Sequence, residues 1–181
     1  MKKIIILCLL SLGITGCISA PKGLEREQFQ IQDIQEIQND DYLCQCKKAR
    51  LAGKVLNAIA LKDKMKIEIL SYPVSRFSAK PAIYSVPNGR FIAYINGFVD
   101  PEILKDQYMS FSGVLVKTEQ GKIDQANYLY PVLKVDNYKR WKLVEEYYYD
   151  PEDLADYREQ RLRWGFGAFW RPEPKLRWNL Y

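Results

Sequence analysis

The sequence predicts a mainly β protein: a small antiparallel Greek-key barrel of the OB type, with a short helix between the third and fourth strands, a C-terminal helix and an extended aromatic arm. Three observations carry this reading. Residue character alternates with a period of two from Ala49 to Leu61, from Met65 to Ile69, from Tyr108 to Lys117 and again from Tyr128 to Val135, the spacing that sends successive side chains to opposite faces of a strand. Asp100-Pro101 breaks the alternation with a helix start, and Asp150-Pro151 repeats that signature before an arginine-rich run. Three strands, a helix and two further strands is the element order of a five-stranded Greek-key barrel. A plain antiparallel sandwich is the alternative.

The chain begins with a segment that sets its compartment. Lys2 and Lys3 precede an apolar core, Ile4 to Leu12, and Ile14-Thr15-Gly16-Cys17 places small residues before a cysteine, the pattern of a lipobox. The apolar run is shorter than the roughly 20 residues that cross a bilayer, so residues 1–16 read as a cleaved lipoprotein signal rather than a span. Cleavage before Cys17 frees its thiol for a diacylglycerol and its amine for a third acyl chain, more than stable anchoring needs. Retention in the inner membrane uses Asp after the lipidated cysteine. Ile18 stands there, so the expected location is the outer membrane, facing the periplasm.

Residues 17–41 read as lipidated N-terminus and glutamine-rich tether, with a short strand around Phe29 and Ile31 and a helical turn around Ile34 and Ile37. The barrel domain spans 42–149. Its first strand runs from Ala49 to Leu61, with Leu51, Gly53, Val55, Asn57 and Ile59 on one face; Gly53 predicts a bend or bulge. Met65, Ile67 and Ile69 give a second strand, and Phe91, Ala93 and Ile95 a third after the Asn88-Gly89 turn. A helix over Glu102 to Asp106 follows. Met109, Phe111, Gly113 and Leu115 share one face of the fourth strand, Gly121 closes a turn, and the fifth strand sets Tyr128, Tyr130 and Val132 against Leu129, Leu133 and Val135. Trp141 to Val144 adds a short strand. Residues 150–181 read as a helix from Pro151 to about Arg163, stopped by Gly165 and Gly167, then an extended arm packed on the barrel.

Composition excludes several chemistries. The chain carries 27 basic and 22 acidic side chains and no histidine; losing Lys2 and Lys3 leaves 25 against 22, or +3. That excess is too mild to imply nucleic acid. Without histidine there is no Ser-His or Cys-His triad and no usual base near neutral pH. After processing, Cys44 and Cys46 remain as thiols. They are candidates for a disulfide in an oxidising compartment, although an extended Cys-x-Cys spacing lies at the limit of bridge geometry; two free thiols or a bridge between chains is the alternative. No histidine or further cysteine completes a zinc site, so no metal and no cofactor are expected. Asp40 with Asp41 and Glu145 with Glu146 point to opposite faces of an extended chain and read as solvated. Gly165-Phe166-Gly167 lacks the strand and helix context of a phosphate loop.

The motifs Ala49-Arg50-Leu51-Ala52-Gly53-Lys54-Val55, Gly97-Phe98-Val99-Asp100-Pro101 and Gly165-Phe166-Gly167-Ala168-Phe169-Trp170 with Pro172-Glu173-Pro174 resemble the Slp family of outer-membrane lipoproteins, the starvation lipoproteins of Gram-negative bacteria. The likeness runs from about Tyr42 to Pro174, plus the lipobox. Arg171 between Trp170 and the Pro-Glu-Pro, and the cysteines 44 and 46, depart from the family pattern. The resemblance implies an outer-membrane location, a barrel-like periplasmic domain and a link to stationary phase or envelope stress. It implies no activity, and only Cys17 carries over as a site residue.

Two functions follow as expectations. The first is a non-catalytic lipoprotein, held to the membrane by its anchor, whose barrel engages an envelope protein or glycan; Phe166, Phe169, Trp170 and Trp178 are the candidate interaction surface, the alternative being that Phe169 and Trp170 are buried against the barrel. The second is an OB-like binder of an oligosaccharide or small periplasmic ligand. Convergent aromatics on a concave face point to the second, and a flat aromatic patch near the C-terminus points to the first. Cys17→Ala is expected to leave the protein uncleaved or as a soluble periplasmic form. Palmitate labelling with membrane fractionation checks this, a mature acylated product being incompatible with Cys17 as the anchor.

Overall fold

The computed structural model describes residues 19–43, 47–165 and 171–181. The alternating segments form seven strands: β1 Lys48–Ala60, β2 Lys64–Tyr72, β3 Gly89–Asn96, β4 Tyr108–Ile123, β5 Ala126–Trp141, β6 Leu143–Tyr148 and β7 Lys175–Leu180. Helix α1, Pro101–Leu104, joins β3 to β4, and helix α2, Pro151–Trp164, joins β6 to β7. The first five strands close in a ring in the order β1-β2-β3-β5-β4, while β6 and β7 form a separate ribbon. The sheet is mixed rather than antiparallel throughout, because β3 and β5 pair in parallel over Ile92–Tyr94 and Val132–Lys134. The cause is the path of the chain. After β3 it crosses the base of the ring through α1 to pair β4 with β1, and β5 then returns beside β4 in the direction of β3.

The inward faces of these strands fill the ring. Leu51, Val55, Met65, Ile67, Ile69, Phe91, Met109, Phe111 and Leu133 are all fully buried or nearly so, each worth about 1.5–3 kcal/mol. Phe91 and Phe111 meet edge to face with centroids 5.9 Å apart, a favoured aromatic geometry. Leu104 of α1, also fully buried, joins the same core. That helix starts where Asp100 accepts the Glu102 amide at 3.0 Å and Pro101 needs no partner. It ends one turn later, short of the expected Asp106, because the Asp106 amide donates to the Val55 carbonyl of β1 and Asp106 adopts φ 62°.

Three local expectations need correction. Gly53 is not the bulge. A Cβ there would lie 2.0 Å from the Leu70 carbonyl oxygen, so the glycine permits close approach of β2, and Gly113 does the same for β5 at Lys134. The register shift falls between Val55 and Asn57; beyond it Ala58 packs on the core and Ile59 turns outward, 47 % exposed. Gly121 lies within β4, and the turn is at Asp124-Gln125, three residues further along, with Asp124 at a φ of 52°. Finally, residues 175–180 are no extended arm: they pair with β6 from Leu143↔Leu180 to Tyr148↔Lys175.

The stretch read as a tether is in part docked. Leu24, Phe29, Ile31 and Ile34 are buried, the expected short strand is a single parallel bridge from Ile31 to Ala49, and the expected helical turn is a 3-10 turn, Ile34–Glu36, closed by a capping box with Asp33. Arg50 of β1 secures this cover. Its side chain is fully buried; Nη1 donates to the Leu24 carbonyl at 2.8 Å, and Nη2 to Gln32 Oε1 at 2.6 Å and the Arg76 carbonyl at 3.4 Å. Burial pulls the guanidinium pKa below its usual value.

Removing that side chain strips donors from two backbone carbonyls, and each polar group left unsatisfied costs about 1–3 kcal/mol. Arg50→Ala is therefore expected to lose about 3 kcal/mol or more in urea denaturation and to open trypsin cleavage after Arg26. Arg50→Lys should recover only part of the loss, since one ammonium lacks the planar fork that reaches three acceptors.

Candidate functional site

Three surfaces outside the core carry polar or aromatic groups in quantity. The first lies on the outer face of β2, β3 and β5, where the far half of the long β4–β5 hairpin folds back. Glu119 of β4 accepts from Lys66 Nζ at 2.7 Å, the Tyr94 hydroxyl at 2.8 Å and Lys117 at 3.2 Å. Beside it Glu68 accepts from Arg90 at 2.9 Å and from the Tyr130 hydroxyl at 3.1 Å. Ile92, Tyr130 and Val132 form a small second core beneath, and a cavity of about 200 Å³ opens between Asn57, Lys66, Glu68 and Tyr130. Burial alone would raise the Glu119 pKa, but the hydrogen bonds from Lys66, Tyr94 and Lys117 outweigh it and hold the carboxyl at about 2. Burial and the same carboxylate push the Tyr94 hydroxyl up to about 12. Each carboxylate is neutralised by a cation, and the network fastens the hairpin to the ring.

The second surface is a groove of about 520 Å³ between α1 and the end of β5, lined by Ile103, Gln107, Tyr138, Lys139, Arg140, Trp141, Lys142 and Tyr181. Trp141 anchors it. The ring is only 6 % exposed, and its Nε1 donates to Ser110 Oγ at 2.8 Å, which donates in turn to the Ala79 carbonyl at 2.5 Å. The loop that supplies Ala79 therefore brings Lys80 over the rings of Trp141 and Tyr181, at 5.6 and 5.1 Å, while Lys139 sits 5.5 Å from Trp141. Reciprocal backbone bonds between Lys142 and Tyr181 join the groove to the ribbon.

The third surface is that ribbon. Strand alternation puts Leu143, Glu145 and Tyr147 of β6 on one face with Leu180, Trp178 and Leu176 of β7. Tyr147 is 72 % exposed, Leu176 52 % and Trp178 48 %, an exposed apolar cluster around Glu145. The opposite face is polar and satisfied: Glu146 pairs with Arg177 at 2.6 Å and accepts from Asn179 and the Tyr181 hydroxyl, and Lys175 reaches Asp150 and Asp153 of α2. The Tyr84 hydroxyl caps the outer edge of β7, donating to the Trp178 carbonyl at 2.8 Å and accepting its amide at 2.7 Å.

Of the residues singled out in the sequence, Cys17, Cys44, Cys46, Phe166, Phe169 and Trp170 lie outside the described residues. Trp178 is described and sits on the ribbon face. Among the described residues no cluster of acidic or sulfur side chains could hold a metal ion, and no helix is long and apolar enough to cross a membrane. Sequence reasoning missed the groove, although Tyr138-Lys139-Arg140-Trp141-Lys142 stood in plain view. A basic run with an embedded tryptophan at a strand end was the available signal.

A ring of strands with an appended ribbon does not by itself define a class of protein; similarity to known proteins supplies the family and, with it, the membrane. The model of the outer membrane lipoprotein Slp family matches residues 14–174, and the chain belongs to that family. It is 45 % identical over 175 residues to an uncharacterized protein of Haemophilus influenzae, covering 94 % of this chain and 93 % of that one. It is 30 % identical over 176 residues to outer membrane protein Slp of Escherichia coli, covering 96 % and 88 %, and 27 % identical over 158 residues to the uncharacterized lipoprotein YeaY of the same organism, covering 87 % and 81 %. No solved structure matches.

The Glu119 network has a consequence in acid. Its folded pKa of about 2 lies below the ordinary 4.5, so its contribution is complete above the ordinary value and fades as pH falls from about 4.5 toward 2. The shift corresponds to about 3 kcal/mol at neutral pH. Glu119→Gln is expected to remove most of that stability at pH 7 and to flatten the acid limb of a stability profile followed by urea unfolding at stepped pH.

Proposed function

We propose that this chain is a non-catalytic lipoprotein, acylated at Cys17 and facing the periplasm, that acts by binding an envelope component through the exposed face of the β6–β7 ribbon. One observation carries the reading: among the described residues Tyr147, Leu176 and Trp178 form an exposed apolar cluster around Glu145 near the C-terminus, on a two-stranded element that is marginal in water without a third layer. The ring itself supports an OB-type assignment, since its order β1-β2-β3-β5-β4, parallel β3–β5 contact and helix between β3 and β4 suit a five-stranded Greek-key closure. The family's resemblance to starvation lipoproteins makes stationary phase and envelope stress the conditions in which to seek the partner.

A second reading, an OB-like binder of an oligosaccharide or small periplasmic ligand, draws on the concave groove around Trp141. The ribbon is preferred because Trp141 is nearly covered and presents little of its ring for a sugar to stack on. Site-specific photo-crosslinking in stationary-phase cells separates the two. Adducts of one discrete mass are expected from Tyr147 and Leu176 and none from Asp124 at the hairpin tip. Tyr147→Ser should abolish the Leu176 adduct while changing stability by less than about 0.5 kcal/mol, as for an ordinary surface position. Silence at the ribbon with glycan adducts from Tyr138 would install the second reading instead.

A further inference from the structure

We infer that the Trp141 groove is the face the protein lays on the bilayer that holds its anchor, with Lys80, Lys139, Arg140 and Lys142 taking the phosphates of anionic phospholipid head groups. The inference rests on Cys17 carrying the lipid and concerns a surface separate from the ribbon. Two independent observations converge on it. The first is charge. No acidic side chain lines the groove, and among the described residues none of these four cations forms an ion pair. Glu146, which accepts from the Tyr181 hydroxyl, is already paired with Arg177. Between the cations stand Tyr138 and Tyr181, 41 % and 57 % exposed, and Ile103, 53 % exposed. Tyrosine hydroxyls beside apolar surface are the side-chain chemistry of a membrane interface, and clustered Lys and Arg are drawn to anionic head groups.

The second observation is where the tether leaves the domain. Leu24 is clamped by Arg50, and the preceding Gly23 gives its carbonyl to Ser112 Oγ at 2.7 Å and abuts Asn137, whose Cγ would lie 2.6 Å from a Cβ at that glycine. Asn137 shares a face of β5 with Lys139 and Trp141, about 7 and 13 Å further along the strand. From Cys17 to Gly23 is six residues, at most about 22 Å when fully extended, and a turn between Pro21 and Leu24 shortens it. A lipid on Cys17 therefore holds this end of β5 close to head groups. Beyond Lys134 β5 has parted from β3 and stays paired to β4 alone among the ring strands.

The test uses the full lipidated protein in vesicles of phosphatidylcholine alone or mixed with phosphatidylglycerol, with amine acylation read residue by residue by mass spectrometry. Lys80, Lys139 and Lys142 should be acylated several-fold more slowly on the anionic vesicles, and Lys122, beside the hairpin tip at the other end of the ring, equally on both. High salt should erase the difference while the protein still floats with the vesicles through its acyl chains. The variant Lys139→Gln/Arg140→Gln/Lys142→Gln, all exposed positions, should remain vesicle-bound yet lose the protection of Lys80. Equal labelling of the groove lysines on both vesicle types would overturn the inference. Failure to float on phosphatidylcholine in high salt would instead remove the anchor reading beneath it.

Discussion

A guanidinium buried without a carboxylate must find its acceptors elsewhere, and Arg50 finds them in main-chain carbonyls from distant parts of the chain. Leu24 and Arg76 are brought to one point on β1, so the N-terminal cover and the loop after β2 are fixed by one side chain. The consequences spread along the strands. The loop that Arg50 holds at Arg76 presents Ala79 to Ser110, Ser110 fixes the Trp141 indole, and Lys80 is left above the tryptophan and Tyr181. The same clamp sets Gly23 against Asn137. One buried charge thus decides both where the tether departs and what surrounds its departure.

The ring depends on a second kind of constraint, which is closeness. Gly53 and Gly113 sit where a neighbouring strand's carbonyl leaves no room for a Cβ, so β1 and β4 curve tightly enough to close over a small core. Closure on the remaining side is brief, three residues of parallel pairing between β3 and β5. The overhanging hairpin reinforces that side: Glu119 of β4 grips Lys66 of β2 and Tyr94 of β3, and Tyr130 of β5 reaches Glu68 of β2. A surface ion pair adds little by itself, but half-buried groups linked across four strands act as one fastening.

Much of this was legible in the residues. Period-two alternation located the five ring strands, and the Asp-Pro pairs located both helices, because those signals are local. What was not legible depended on distance. The parallel β3–β5 contact follows from the path of α1 across the base, and the face of β1 after Val55 follows from a register shift that no single residue announces. The burial of Arg50 has no local signal, since a charged side chain in an alternating strand ordinarily faces solvent. β7 was read as an arm because Arg177 and the prolines before it masked the alternation of Leu176, Trp178 and Leu180, which only its pairing with Leu143, Glu145 and Tyr147 makes plain.

Among the described residues helix α2 shares little with the rest of the protein. None of its described side chains is buried, and ion pairs of Lys175 with Asp150 and Asp153 tie its start to the ribbon. A fourteen-residue helix is marginal in water by itself, and the Asp150 cap, the Glu159–Arg163 pair and the left-handed Gly165 at its end each add to its order. Elements with few buried side chains open more readily than a packed core. Amide hydrogens of α2 would exchange on a timescale unrelated to those of β1 to β5, and the protein would have two stabilities rather than one: that of the ring, and that of a helix whose formation could be governed by whatever binds beside it.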